Sequence, residues 1–175
     1  MQRLFLFPTQ EEAKALQILS PQSPCCIIGV GMAQAAAGAA RAIVESGAQS
    51  VVLCGVAGAM SEQLLLGQVV EVVEDRVAGL PERFSRIYSS EPQTNYQAVA
   101  SLTVSHTEDG YLYSDTAPVY PLIEQMEGVA VCAVAEQLGV EFLHLRAISN
   151  RVGDPFPKWE LSRACEALAE ALSKL

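Results

Sequence analysis

Positive charge is scarce in this chain: 11 Lys plus Arg stand against 20 Asp plus Glu, a formal net charge of −9 over 175 residues. Binding a phosphate backbone or an anionic lipid surface takes a basic patch, so nucleic-acid polymers and membrane surfaces are excluded as partners. Long apolar runs are missing too. No stretch reaches the roughly 20 consecutive apolar residues of a membrane span. The run Leu4-Phe5-Leu6-Phe7 is shorter than a secretory signal core and is closed by Pro8. These absences predict a soluble cytoplasmic protein. Cysteine patterning is the third gap: five cysteines, with Cys25 and Cys26 adjacent and no CxxC pair, fit neither a disulfide framework nor a zinc site. All five are expected to be small reduced core residues. The two histidines, His106 and His144, have no metal-ligand spacing and are expected to be structural. No metal and no cofactor is expected.

What the chain does have is apolar surface, 50% of its residues being hydrophobic. A chain of this length buries about two thirds of its unfolded surface, and one domain spanning 1–175 is expected. Short apolar runs alternate with longer helical segments, which predicts an α/β fold in which helices cover a parallel sheet. Strands are predicted at 3–7, 25–30, 50–54, 67–77, 99–105 and 142–148, and helices at 10–19, 33–46, 126–138 and 158–174. Four of the strands are almost wholly apolar, as strands covered on both faces are. In the last helix Leu161, Cys165, Leu168 and Leu172 recur at helical spacing, with Glu166 and Glu170 on other faces. Residues 79–97, with two prolines and no periodicity, are predicted as a loop.

In open parallel sheets, ligands bind beyond the carboxyl ends of the strands. The segments there are PTQEE after the first strand, GVGM after the second, GVAGAM after the third, SHTEDG after the fifth and SNRVGD after the sixth. Two of them are glycine turns whose backbone N–H groups can approach a ligand. Gly29-Val30-Gly31 lacks the third glycine of a dinucleotide fingerprint, because Gln34 stands there, and neither turn carries the GK[ST] of a triphosphate loop. Thr9-Gln10-Glu11-Glu12 has the form of a capping box, with Thr9 as N-cap. Capping and catalysis are alternatives for Glu12 in any one rotamer. Asn150, directly after an apolar strand, has the form of a turn residue. Glu127 heads an almost uninterrupted apolar segment. In a first helical turn it would favour the macrodipole by roughly 0.3–1 kcal/mol. A buried carboxylate without a partner is costly, however, and the sharper candidate for that partner is a ligand.

Taken in order, IIGVGMAQAAAGAARAI, VVLCGVAGAM, LGQVVEVVE, QMEGVAVCAVAEQLGVEFLHLRAISN and the Trp159 that follows resemble the nucleoside phosphorylase and nucleosidase superfamily over most of the chain. PTQEE, TVSHTEDG and RAISN leading to Trp159 look closest to futalosine hydrolases, relatives of methylthioadenosine/S-adenosylhomocysteine nucleosidase. The resemblance implies a single-domain three-layer αβα sandwich with a mixed, mostly parallel central sheet. It implies hydrolysis of the N-glycosidic bond of a small purine nucleoside, in the futalosine case within menaquinone synthesis, by a homo-oligomer that is most simply a dimer.

The same resemblance assigns roles. Met126 lies against the sugar face, Glu127 accepts the ribose hydroxyls, Glu12 is the base that activates water, and Asn150 takes the purine-binding position. Val56, Ala57 and Gly58 form a turn along the base or sugar. Relatives acting on adenine nucleosides carry Asp where this chain has Asn150. An amide is no comparable acid but can donate to an oxo group at C6, so a hypoxanthine nucleoside is implied. Two departures stand out: residues 79–97 look abbreviated, and the glutamate often seen before the Met-Glu pair is Gln125. They leave room for a site finished by a neighbouring subunit, or for a member that binds without turnover. A phosphorylase of the same fold is the close alternative, but neither glycine turn has an Arg or Lys beside it to hold phosphate.

Overall fold

The structure, a computed structural model, describes residues 3–107 and 119–175. In chain order the elements are β1 (Leu4–Phe7), α1 (Gln10–Leu19), β2 (Cys25–Ile27), α2 (Met32–Ser46), β3 (Ser50–Ala59), β4 (Val69–Val77), β5 (Tyr88–Ser89), β6 (Gln97–Thr103), β7 (Leu122–Gln125), α3 (Gly128–Leu138), β8 (Glu141–Arg151) and α4 (Leu161–Leu172). Neighbours β2/β1, β1/β3, β3/β8, β4/β6 and β6/β7 run parallel, whereas β3/β7, β4/β5 and β4/β8 run antiparallel. The sheet is therefore mixed and mostly parallel. Its three layers follow from strand alternation. Phe5, Phe7, Val52, Cys54, Leu143 and Leu145 pack on one face against Ala13 and Leu16 of α1 and Ala164 and Leu168 of α4. Leu4, Leu6, Val51 and Leu53 pack on the other face against Ala35, Ala39 and Ile43 of α2 and Val131 and Ala135 of α3. Gly38 lets α2 lie directly on the chain after β2, since a Cβ there would collide with the Ile28 carbonyl oxygen.

Strands β3 and β8 run for 10 and 11 residues, long enough to leave the sandwich and enter a second arrangement. Their far ends join β4, β6 and β7 in a closed ring, because β8 pairs with both β3 and β4 while β7 pairs with both β6 and β3. The ring interior is filled by Ala57, Val70, Val72, Val99, Ile123 and Ile148, drawn from all five strands. Closure leaves these strands no free edge.

The sequence expectations are corrected in several places. The third and sixth strands continue to Ala59 and Arg151, and the second stops at Ile27. Strand β7 was not predicted, and the 79–97 loop contains a 3-10 turn, Glu82–Phe84, and the two-residue strand β5. Helices α3 and α4 start at Gly128 and Leu161, later than expected. Only Cys54 and Cys165 are buried; Cys25, Cys26 and Cys132 are half-buried, and all five are free thiols. Among the described residues no helix is long and apolar enough to cross a membrane.

Candidate functional site

A cavity of about 350 Å³ opens at the carboxyl ends of β1, β3 and β8, and all seven residues singled out in the sequence line it: Glu12, Val56, Ala57, Gly58, Met126, Glu127 and Asn150. Two of the local expectations change. Val56, Ala57 and Gly58 form no turn but the last part of β3, and Asn150 is no turn residue but lies within β8. The pairing of β3 with β8 slips between Ala57 and Gly58, so that Ile148 faces Ala57 and Asn150 faces Gly58. Ser149 is the extra residue of this bulge, and such an insertion re-aims side chains. Consecutive residues Ser149 and Asn150 can thus both line the cavity. Of the SHTEDG segment, Thr107 lines the cavity, His106 is exposed, and residues 108–110 lie outside the described residues.

Glu12 sits on the first turn of α1, and the capping box predicted for it is formed: the Thr9 N–H and hydroxyl donate to Glu12 Oε2 at 3.1 and 2.7 Å, and the Glu12 N–H donates to Thr9 Oγ1 at 3.2 Å. Its other oxygen, Oε1, accepts from the Val56 N–H at 3.0 Å. One rotamer therefore caps the helix with one oxygen and accepts from β3 with the other. Burial pushes the Glu12 carboxyl above its ordinary value, against the opposing pull of the Thr9 hydroxyl, Arg146 and the Val56 N–H.

Glu127 is 3% exposed, and the partners expected of a ligand are supplied in part by the protein. The Gly31 N–H donates to its Oε1 at 2.9 Å and Arg146 Nη2 donates to its Oε2 at 3.1 Å. It precedes α3 rather than lying in the first turn, and its side chain does not cap that helix. Each carboxylate oxygen has more than one lone pair, so acceptor capacity remains on the cavity side. The glycine turn at Gly31 therefore holds a protein carboxylate, as Val56 does.

Arg146, like Glu124, lines the cavity without having been singled out in the sequence. It is 1% exposed. Its Nε donates to His144 Nε2 at 2.8 Å, Nη1 to the Val56 carbonyl at 3.1 Å, and Nη2 to Gln125 Oε1 and Glu127 Oε2, both at 3.1 Å. His144 is thereby fixed as a neutral acceptor, and burial, then Arg146, holds its pKa well below the usual imidazole range. A Cβ on Gly55 would lie 2.5 Å from Arg146 Nη1 and 2.8 Å from Glu12 Oε1, so the guanidinium and the carboxylate converge over that glycine. An arginine does lie beside the second glycine segment, brought there by β8. The available signal was a lone cation inside the apolar run FLHLRAIS.

At the other end of the cavity Asn150, Gly58 and Glu124 are in register across β8, β3 and β7. A Cβ on Gly58 would meet Asn150 Nδ2 at 3.2 Å and Glu124 Cγ at 3.6 Å. Val152 Cγ2 would be nearer still, at 3.0 Å, so the glycine lets Asn150, Val152 and the Glu124 methylene close on β3. The amide is oriented by its neighbours: Nδ2 donates to the Arg151 carbonyl at 2.9 Å, and the Ser149 hydroxyl donates to Oδ1 at 2.8 Å. The second Nδ2 hydrogen is available to a ligand. Trp159, held by its indole N–H on the Asp154 carbonyl at 3.0 Å, packs on Phe156, and both rings wall the cavity. Among the described residues no cluster of His, Cys, Asp and Glu could hold a metal ion.

No family model matches the chain, and no curated protein does. Solved structures do. The Helicobacter pylori 5′-methylthioadenosine/S-adenosylhomocysteine nucleosidase with butyl-thio-DADMe-Immucillin-A matches with a TM-score of 0.80 at 16% identity, over 99% of this chain and 97% of that one. The native futalosine hydrolase of the same organism matches with a TM-score of 0.79 at 15% identity, over 98% and 96%. The Streptococcus pyogenes S-adenosylhomocysteine nucleosidase in complex with 5-methylthiotubericidin matches with a TM-score of 0.80 at 19% identity, over 100% and 97%. The chain shares the fold of the group its motifs resemble.

Proposed function

We propose that the protein hydrolyses the N-glycosidic bond of a 6-oxopurine nucleoside, futalosine being the leading candidate, and releases hypoxanthine. The observation that carries the reading is that two buried carboxylates, Glu12 and Glu127, flank Arg146 in the same cavity that Asn150 and Glu124 line. The nucleosidase neighbours support the reaction class.

Breaking this bond builds positive charge on the sugar and negative charge on the departing purine. Glu127, fixed by Gly31 and Arg146, accepts the ribose hydroxyls and faces the cationic sugar, with Met126 against the sugar face. Glu12, with its raised pKa, takes a proton from a water whose oxygen bonds to the anomeric carbon. The C–N bond breaks, its electron pair goes to the purine, and a solvent proton neutralises the base. The purine edge is read by two residues of the cavity lining: Asn150 donates to the C6 oxygen while Glu124 accepts the adjacent N1–H. Adenine presents a donor and an acceptor in the reverse order, so both contacts oppose it.

Phosphate is disfavoured as the nucleophile. Arg146 already directs N–H groups to His144, Val56, Gln125 and Glu127, and a phosphate beside it would face Glu12 and Glu127 as well. The reading includes a homodimer, supported by the exposed Val30 and Phe156 at the cavity wall, apolar surface that a second copy would cover. Incubation with futalosine, inosine and methylthioadenosine, with and without phosphate, tests the reaction by release of free base. Phosphate-independent release of hypoxanthine is expected. A phosphate requirement would make the protein a phosphorylase, and binding without release would make it a nucleoside-binding protein.

A further inference from the structure

Behind the cavity lies a buried polar pair to which nothing above gives a role. Gln125, 4% exposed, accepts on Oε1 from the N–H groups of Glu127 and Gly128, both at 2.7 Å, and from Arg146 Nη2 at 3.1 Å. It thus caps α3 in place of Glu127, whose own carboxylate is turned to the site. Three donors on one oxygen fix the amide's orientation. Its Nε2 must face the other way, and there it donates to Asp75 Oδ2 at 3.0 Å, Ser101 Oγ at 3.0 Å and Thr103 Oγ1 at 2.8 Å. The Thr103 hydroxyl in turn donates to Asp75 and accepts from the Val129 N–H at 3.0 Å. The Gln125 amide and the Thr103 hydroxyl thus both donate to Asp75.

We propose that Gln125 and Asp75 are a matched amide–carboxylate pair that positions Glu127 and Arg146, and that the amide at 125 is required because a carboxylate occupies 75. Gln125 is a positioning residue: it borders the cavity and acts on the proposed substrate through the Glu127 backbone and the Arg146 guanidinium. A glutamate at 125 would accept the same three donors on one oxygen, but its other oxygen would lie where Nε2 now lies, 3.0 Å from Asp75 Oδ2. Two carboxylates so close share one proton and titrate as a unit. The surroundings do not relieve them. Arg146 is the cation facing the pair, and His144 of β8, Cys132 and Glu136 of α3, Tyr88 of β5 and the adjacent Glu74 of β4 are the other titratable groups around Asp75. Burial already pushes the Asp75 carboxyl up to about 7, against the Thr103 hydroxyl and Arg146.

The test is Gln125→Glu alone and combined with Asp75→Asn, which exchanges amide and carboxylate. Its activity arm rests on the hydrolase reading; its stability arm does not. In the single variant kcat/KM for futalosine should stay within about threefold of wild type at acid pH. It should then fall about tenfold per pH unit above the upper apparent pKa of the pair, a limb absent from wild type. The melting temperature of the same variant should fall between the ordinary carboxyl range and that upper pKa, by more than in wild type, and level off above it, because a pair that holds a proton more tightly when folded stabilises at low pH and loses that stability as pH rises to the folded value. The double variant should recover both profiles. A pH-independent loss of activity and stability in Gln125→Glu, or a double variant no better than the single one, would overturn the proposal. If neither wild type nor variants release base while the melting curves behave as stated, the pair stands and the hydrolase reading falls.

Discussion

Glu12 and Glu127 are both buried carboxylates on the wall of one cavity, yet they are held in opposite ways. Glu12 is cradled by neutral donors, the Thr9 hydroxyl and the N–H groups of Thr9 and Val56, and burial raises its affinity for a proton. Glu127 is tied to a fixed cation, Arg146, and to the N–H at the head of α2. Burial and neutral hydrogen-bond donors leave Glu12 able to take a proton from water, whereas Glu127 is paired with a guanidinium. The division matches a base on one side of the proposed reaction and a partner for a cationic sugar on the other.

If the contrast is right, breaking the two walls has different consequences. The largest effect is expected for Arg146→Met, which strands Glu127 without its cation. Removing one partner of a buried ion pair costs about 3–5 kcal/mol, to be read from chemical denaturation, and base release should vanish with it. A stable, active variant would show that Glu127 does not depend on the pair. Glu12→Gln should slow base release by about 10² to 10⁴-fold while nucleoside affinity holds. It should also lose about 1–3 kcal/mol of stability, since an amide can keep the capping contact but not accept from Val56 as well. Unaltered turnover would remove Glu12 from the mechanism.

Glu127→Gln acts on the other wall, where each charge-assisted bond to a ribose hydroxyl is worth about 1.5–3 kcal/mol. Calorimetric titration with inosine should show that loss; unchanged affinity would confine Glu127 to its contacts with Gly31 and Arg146. Thr9→Ala is the mildest change, costing about 1 kcal/mol as a lost cap. Its sharper signature is in pH. The Thr9 hydroxyl lowers the Glu12 pKa, so without it that pKa rises further. The base must be deprotonated to act, and the acid limb of kcat/KM should therefore move to higher pH in Thr9→Ala. A limb that stays in place would mean that another group sets it.

The two halves of the sheet differ in how openly the sequence displays them. Helix α1 was legible in its capping box, α4 in the spacing of Leu161, Cys165, Leu168 and Leu172, and β1 in its apolar run, because each signal is local. The ring was not. β7 is a four-residue strand, Leu122–Gln125, whose two polar side chains carry no alternation, and the ends of β3 and β8 are built from Gly, Ala, Ser and Asn, which resemble a loop. Site residues could be placed by their position after strands and by resemblance. Their partners could not, since Arg146 reaches Val56 across 90 positions and Gly31 reaches Glu127 across 96. Gln125 was visible only as a departure from a related pattern, although it anchors the turn that carries Glu127.

The measurement that bears most directly on the proposed function is the ratio of kcat/KM for matched hypoxanthine and adenine nucleosides in wild type and in Asn150→Asp. In wild type the amide hydrogen beside Gly58 should favour the hypoxanthine nucleoside by roughly 10-fold or more, the equivalent of one buried unpaired group at about 1–3 kcal/mol. In Asn150→Asp the carboxyl can accept from the 6-amino group, and the ratio should move towards adenine. The same ratio in both proteins would contradict the account, because Asn150 would then not read the base.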